Sequence, residues 1–401
     1  MKRILFVDDE SNILQGLKRM LRGQRKEWEM HFAESGKQAL ELMEHDHFDA
    51  IISDMRMPGM DGAELLSKVK EQHPNTVRFI LSGHSDHELV MRSVGPSHQY
   101  LSKPCEPEVL KSTLADAFAL RELLASESIR TLVAGMSSLP SLPTIYTAVV
   151  EQLQSEDASI HSIGNLIEQD PGMTAKVLQL VNSAYFGLGR HISSPSEAAS
   201  FLGLDVIKGL VLSESVFSQF DEEVVKSASL EAIRSRCLHV ATSARKIAKA
   251  ECASDVVCDQ AYLGGLLHDM GILVLASKSP DEYVRASELA RQKDMDLYTA
   301  EKQVFGTTHA EIGAYMLGLW GIDDDVVASV AYHHKPSNLP NEKFSALTAV
   351  YVASTCVSGN TAPSDQSPFT NEDIAYLESI GLANRLPVWQ ELCLEPEEDA
   401  A

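Results

Sequence analysis

The chain has 401 residues, with 57 acidic against 34 basic side chains and a formal charge of -23 at neutral pH. One hydrophobic core rarely serves that length, so more than one domain is predicted. So acidic a composition argues against gripping nucleic acid or anionic lipid, which takes clustered lysine and arginine.

The six cysteines, Cys105, Cys237, Cys252, Cys258, Cys356 and Cys393, are scattered, form no CxxC pair and follow no signal-peptide pattern. No apolar run approaches the roughly 20 residues of a membrane-spanning helix. The expectation is a soluble protein of a reducing, cytoplasmic compartment, binding neither nucleic acid nor membrane.

From residue 1 to about 118, short apolar runs alternate with amphipathic stretches, the pattern of a parallel sheet covered by helices on both faces. The predicted strands are "RILFVDD", "MHFAES", "DAIISDM", "VRFILSG" and "HQYLSKP". Each ends in polar residues, which therefore gather at the carboxyl edge of the sheet, where open α/β folds bind ligands. Asp8 and Asp9 end the first strand and Asp54 the third. Two carboxylates about 4 Å apart repel by roughly 4 kcal/mol at an effective dielectric near 20. A divalent cation relieves that, and Mg²⁺ suits few carboxylates plus a phosphate. Ser82 and Lys103, at the ends of the fourth and fifth strands, add a hydroxyl and an ammonium. Acids, hydroxyl and cation together suit a phosphoryl group in transfer.

The motifs "FVDDE", "SDMRMPGMDG", "LSGHSD" and "YLSKP" closely resemble the receiver domain of two-component response regulators, over residues 1–118. The resemblance implies a flavodoxin-like fold with a five-stranded parallel sheet. It implies that Asp54 takes a phosphoryl group from a histidine kinase or phosphotransfer protein, with Mg²⁺ on Asp8, Asp9, Asp54 and the backbone carbonyl of Arg56. Ser82 and Lys103 would contact the phosphoryl group, Tyr100 would be the aromatic switch, and Pro104 matches the family's cis-proline position. An ordinary half-buried strand aromatic is the plainer reading of Tyr100.

Residues 119–138 are helix-compatible and loosen into "SLPSLPT", where two Leu-Pro pairs mark a boundary. Over residues 139–356 strand signals nearly vanish, and apolar positions recur at spacings of three and four, predicting an all-α second domain. Residues 357–401 read as a polar insertion, a short segment with Leu386, Pro387 and Trp389, and a frayed acidic tail.

Histidines punctuate the helical part: His239, the pair His268-Asp269 inside "GGLLHDMGILVL", His309, His333 and His334. Histidine and carboxylate ligands on separate helices are how bundles build metal centres. Each residue alone is more simply a hydrogen-bonded core group. Their order resembles the HD superfamily of metal-dependent phosphohydrolases. "LPSLPTIYTAVVEQL" through "FLGLDVIKGLVL", Leu139 to Leu212, is more similar to the HDOD domain, a signalling relative generally regarded as non-catalytic and often joined to receivers. The enzyme pattern is broken in three places: Ser354 stands where a final aspartate ligand belongs, Ile272 where the cyclic di-GMP phosphodiesterase branch has lysine, and "HHKPSNLPNEK" lacks that branch's loop.

The combined reading is a response regulator whose HDOD module, switched by Asp54, contacts a downstream signalling protein, with cyclic dinucleotide signalling as one setting. Alternatives remain: a phosphohydrolase acting on a nucleotide or cyclic dinucleotide, or a phosphate sink whose helical part only oligomerises. A single transition metal retained on His239, His268, Asp269, His309, His333 and His334, and a homodimer, stay open at this stage. "NSAYFGLGR" is a further candidate partner surface, with core packing the simpler reading of its aromatics.

Overall fold

The computed structural model describes residues 1–82, 97–123, 139–141, 143–155, 159–182, 191–203, 217–219, 230–339, 343–359 and 368–394, with positions 133, 207 and 211. The loop after Ser82, most of the segment between 124 and 138, residues 183–190 of "NSAYFGLGR", the core of the polar insertion and the acidic tail lie outside them.

The N-terminal domain has β1 (Lys2–Val7), β2 (Trp28–Ala33), β3 (Ala50–Asp54), β4 (Val77–Ser82) and β5 (Gln99–Ser102). Its described helices are α1 (Ser11–Met20), α2 (Gly36–His45), α3 (Gly62–Gln72) and α4 (Pro107–Leu123). The strand order is β2-β1-β3-β4-β5 with every pairing parallel, the flavodoxin-like order. Ile4, Leu5 and Phe6 of β1, Ile51 and Ile52 of β3, and Phe79 and Ile80 of β4 are fully buried. Strands buried on both faces carry such continuous apolar runs rather than alternation. Val7 pairs with Ser53, and Asp54 with Leu81, so β1, β3 and β4 end level and their polar ends share one edge. Helix α4 runs past residue 118 into the stretch expected to be a linker.

The described residues of the second domain are helical, as the periodicity predicts, apart from one pair of short strands: β6 (Leu139–Ser141) pairs in parallel with β7 (Phe217–Gln219). β6 falls in the Leu-Pro stretch, whose prolines favour extended backbone, but a partner so distant in sequence leaves no local strand signal. Between them lie α5 (Pro143–Gln154), α6 (Ile160–Glu168), α7 (Pro171–Val181) and α8 (Pro195–Leu202). Then follow α9 (Leu230–Ala250), α10 (Asp255–Leu267), α11 (Met270–Lys278), α12 (Pro280–Lys293), α13 (Leu297–Phe305), α14 (His309–Leu319), α15 (Asp324–Tyr332) and α16 (Ala346–Gly359).

Two more helices follow: α17 (Asn371–Ser379) meets α16 through Tyr376, α18 (Leu386–Leu394) packs on α9 and α16, and both contribute to a second hydrophobic cluster with the fully buried Trp389. The Trp389 indole and the Arg385 guanidinium both donate to Glu251 at the end of α9, at 2.8 and 2.7 Å. The larger cluster runs without a break from the receiver sheet into the helical domain. Every residue of α7 is buried, including Lys176 and Gln179, and α4 packs on α14.

Candidate functional site

The first site is the carboxyl edge of the receiver sheet. Asp8 follows β1, Asp54 closes β3, and an oxygen from each of Asp8, Asp9 and Asp54 lies within 4.8 Å of the others. Lys103, beyond β5, donates to Asp8 at 2.7 Å and forms an ion pair with Asp54. The Arg56 amide donates to Asp54 at 3.1 Å and the Glu10 amide to Asp8 at 2.9 Å. Gly62 of the "MPGMDG" turn is required here, because a Cβ would stand 2.2 Å from the Asp54 carbonyl oxygen. Ser82 is buried at the end of β4, on the same edge, and the Lys103-Pro104 peptide is cis.

Burial raises the Asp54 pKa, Asp8 adds to it, and Lys103 offsets them only in part. Burial works against the Lys103 ammonium, but the hydrogen bonds and charges of Asp54 and Asp8 hold its pKa above the ordinary lysine value. Three carboxylates face one ammonium, so the pocket carries excess negative charge. The carboxylates of Asp8, Asp9 and Asp54 are hard oxygen donors of the kind that fits Mg²⁺.

Tyr100 is buried on β5. With Gln99, Asp116, Trp320 and Asp324 it lines a cavity of about 680 Å³ between receiver and helical domain. The receiver's last strand therefore faces the helical domain directly, and Gln99 donates to the Gly318 carbonyl at 3.3 Å.

The second site lies inside the helical domain. His268 and Asp269 occupy the break between α10 and α11, which explains a charged pair in an apolar run. His309 opens α14, behind a capping box of Thr308 and Glu311, and His333 ends α15. Gly271 lets α11 meet α14: a Cβ there would lie 1.9 Å from the His309 carbonyl oxygen. Gly265 does the same for α10 on α9, 2.7 Å from the Ala241 Cα.

The ring nitrogens are assigned by their partners. His268 Nδ1 donates to the Gly265 carbonyl at 2.6 Å and His333 Nδ1 to the Val330 carbonyl at 2.8 Å. His309 Nδ1 donates to the buried Glu301 carboxylate at 2.7 Å. Burial keeps the His333 ring neutral, so its Nε2 is a lone-pair acceptor buried without a hydrogen-bond donor, while the buried His268 Nε2 faces Asp269. Asp269 sits among them, with Oδ2 3.1 Å from His268 Nε2 and Oδ1 3.3 Å from His309 Nε2 and 3.9 Å from His333 Nε2. His334 Nε2 meets His309 Nε2 at 3.0 Å.

The electrostatics follow from this arrangement. Burial acts to raise the Asp269 pKa, but His268, Arg236 and His309 hold it well below the ordinary carboxylate range. Burial works against the His309 imidazolium, yet Glu301 and Asp269 raise its pKa. Burial and the neighbouring His334 keep His333 neutral. His334 reaches solvent on one side, but its ring lies against Tyr298 and His309, and its pKa is pushed down to about 3.

The structure brings His268, Asp269, His309, His333 and His334 together but not His239, whose Nε2 lies 3.1 Å from the Cys393 carbonyl. One helical turn earlier, Arg236 forms an ion pair with Asp269. Sequence reasoning missed Arg236 and Glu301; a glutamate eight residues before His309 was the one available signal for the latter. Cys237 also joins His268 and Asp269, its buried thiol shifted strongly upward. Ser354, on α16, is buried and supplies no carboxylate, and Ile272 is buried in the core. The imidazoles suit a transition metal, but the set does not fit a hydrolase metal centre, because Asp269 already has its cation and neither His239 nor Ser354 supplies a ligand there.

Comparison with known proteins accounts for both halves. The response regulator receiver domain family matches residues 4–115, and the HDOD domain family matches residues 139–336. An uncharacterized protein of Treponema pallidum (strain Nichols) is 26% identical over 210 residues, 52% of this chain and 40% of that protein. The hydrogenase transcriptional regulatory protein HoxA of Bradyrhizobium diazoefficiens is 31% identical over 163 residues, 40% of this chain and 33% of HoxA. The chain thus matches less than half the length of these relatives. The MmoQ response regulator of Methylococcus capsulatus str. Bath is similar in fold, with a TM-score of 0.50 at 23% identity, covering 64% of this chain and 98% of that one.

Proposed function

Since the chain is a response regulator that joins a receiver domain to an HDOD domain, we propose that Asp54 accepts a phosphoryl group and thereby switches the HDOD module. The donor is the phosphohistidine of a sensor histidine kinase or phosphotransfer protein. An Asp54 carboxylate oxygen bonds to phosphorus as the histidine N–P bond breaks. Lys103, already on Asp54 and Asp8, is placed to meet the developing charge, and the Ser82 hydroxyl to donate to a phosphoryl oxygen. Mg²⁺ on Asp8, Asp9, Asp54 and the Arg56 carbonyl supplies charge neutralisation when bound. The convergence of three carboxylates and Lys103 on one strand edge carries this reading.

The output is contact with a downstream signalling protein rather than turnover. Supporting that reading, Asp269 is ion-paired within the chain and Ser354 stands in place of a carboxylate. The position of Tyr100 and Gln99 against the helical domain gives the modified receiver a surface through which to act. The setting is the cytoplasm, where histidine kinases present their phosphohistidine.

The test is to incubate the full chain with Mg²⁺ and a small phosphodonor such as acetyl phosphate, and count phosphoryl groups by intact mass. One group on the wild type and none on Asp54→Asn is expected. Labelling of Asp54→Asn, or an unlabelled wild type, would sink the assignment. A pull-down with beryllofluoride-treated chain against Asp54→Ala then reads the output; identical partner sets would contradict the switch.

A further inference from the structure

The helical domain holds three imidazoles and a carboxylate aimed at one another, with the Nε2 atoms of His268 and His333 buried among them. Such a cluster needs positive charge nearby, since a buried carboxylate without a cation is strongly disfavoured. The chain supplies that charge itself. Arg236 reaches Asp269 from α9, and its own side chain stays about a third exposed, so it closes the cluster from the solvent side.

We propose that Arg236 is the resident cation of this centre: its guanidinium holds the Asp269 carboxylate that a divalent transition metal would otherwise use, and keeps the site metal-free. Three observations carry the argument. Among the described residues, Asp269 is the carboxylate that faces the imidazoles of His268, His309 and His333 together, Glu301 meeting His309 alone, so whatever ion-pairs with Asp269 governs the centre. His239, the residue of α9 that the motif order would nominate as a ligand, is engaged instead with Cys393. The remaining groups are still arranged as metal ligands usually are, each imidazole fixed at Nδ1 by a carbonyl or carboxylate with Nε2 turned inward. Removing the guanidinium while leaving those groups in place therefore creates a site for Zn²⁺ or Co²⁺ on His268, Asp269, His309 and His333. This rests on the non-catalytic reading of the helical domain and explains it by a single side chain.

The experiment uses the full chain, stripped with a chelator, then titrated with Co²⁺ and followed by visible absorption and by bound metal after desalting. Wild type is expected to take up no Co²⁺ that His268→Ala removes. Arg236→Ala is expected to gain one Co²⁺ per chain with tetrahedral absorption bands, and to lose it in Arg236→Ala/His268→Ala. Arg236→Gln, which can still hydrogen-bond Asp269, covers the case in which Arg236→Ala fails to fold, near-UV circular dichroism being the check.

Folded Arg236 variants that load no more metal than wild type would overturn the role of Arg236 and leave the non-catalytic reading standing. A wild-type chain that already holds one equivalent, lost in His268→Ala, would overturn the inference outright. If that loaded protein also hydrolysed a cyclic dinucleotide, the non-catalytic reading would fall with it.

Discussion

The Gln179 side chain of the helical domain donates from Nε2 to the His98 carbonyl, at the start of the receiver's last strand, at 2.7 Å, and both residues are buried. Its amide orientation is fixed from the other side, because Lys176 Nζ donates to Gln179 Oε1 at 3.0 Å. The two domains are thus joined by a directional contact inside a shared hydrophobic cluster, and the strand that carries Tyr100 is the strand held. A change at Lys103, three residues beyond Tyr100, has a short path to this contact.

Replacing Gln179 with alanine removes the cross-domain hydrogen bond and is expected to destabilise the chain by about 1 to 2 kcal/mol. In urea denaturation the midpoint should fall with an unchanged slope, the sign of altered stability without altered compactness. An unchanged midpoint would mean that the contact does not bear on the folded state in solution.

Lys176 gives a pH-dependent prediction. It is buried with its ammonium 4.0 Å from the centre of the Trp320 ring, and burial, with Lys70 nearby, pushes its pKa down to about 7. An unfolded lysine titrates near 10.4, so between roughly pH 7 and 10 the unfolded chain binds the proton more tightly and this group makes stability rise with pH. Below about 7 both states are protonated and the rise is absent. Lys176→Met should remove that rise and add about 1 to 3 kcal/mol at neutral pH, less any cation–π attraction lost, worth up to about 2 kcal/mol. Urea midpoints of both proteins at pH 7 and pH 9 decide it: equal pH slopes would refute the assignment.

The receiver pocket predicts how Mg²⁺ affinity responds to charge. Lys103 contacts both Asp8 and Asp54 and so competes with a divalent cation for the same oxygens. Lys103→Met should tighten Mg²⁺ several-fold, on the order of 1 kcal/mol, and Asp8→Asn should weaken it by a comparable amount or more. Because the Asp54 pKa is raised, acidification should weaken Mg²⁺ through proton competition at that carboxylate, setting in at higher pH than at an ordinary aspartate. Isothermal titration of the full chain measures all three, and a Lys103→Met affinity below wild type would contradict the competition.

The receiver site was legible because a parallel sheet sends every strand end to one edge. Once β1, β3, β4 and β5 are found by their apolar runs, Asp8, Asp54, Ser82 and Lys103 are neighbours by topology alone. The helical centre was only half legible. Arg236 and His239 lie one helical turn apart on α9, and sequence spacing cannot say which turn meets Asp269. That is decided by where α10 crosses α9, at the close approach of Gly265 to Ala241. Glu301 is similarly hidden, since an acid between a surface lysine and an alanine reads as an exposed helix charge until α13 is folded against α14. The β6-β7 pair escaped because each strand is three residues long and draws its stability from a distant partner.

Gly271 joins fold and site in one test. A Cβ at this position would lie 1.9 Å from the His309 carbonyl oxygen and 2.6 Å from its carbon, backbone atoms that cannot move without shifting α14. Gly271→Ala must therefore separate α11 from α14, and with them Asp269 from His309. An overpacked core contact of this kind costs roughly 3 kcal/mol, at the upper end of the usual range. Gly16, inside α1, is the control, because a Cβ there meets nothing within 4 Å. Gly16→Ala should be neutral or stabilising by about 0.5 to 1 kcal/mol, since glycine is the poorer helix former. Thermal melts of the two variants should then move in opposite directions. If Gly271→Ala melted with Gly16→Ala, the tight crossing that sets Asp269 against His309 would not exist in solution.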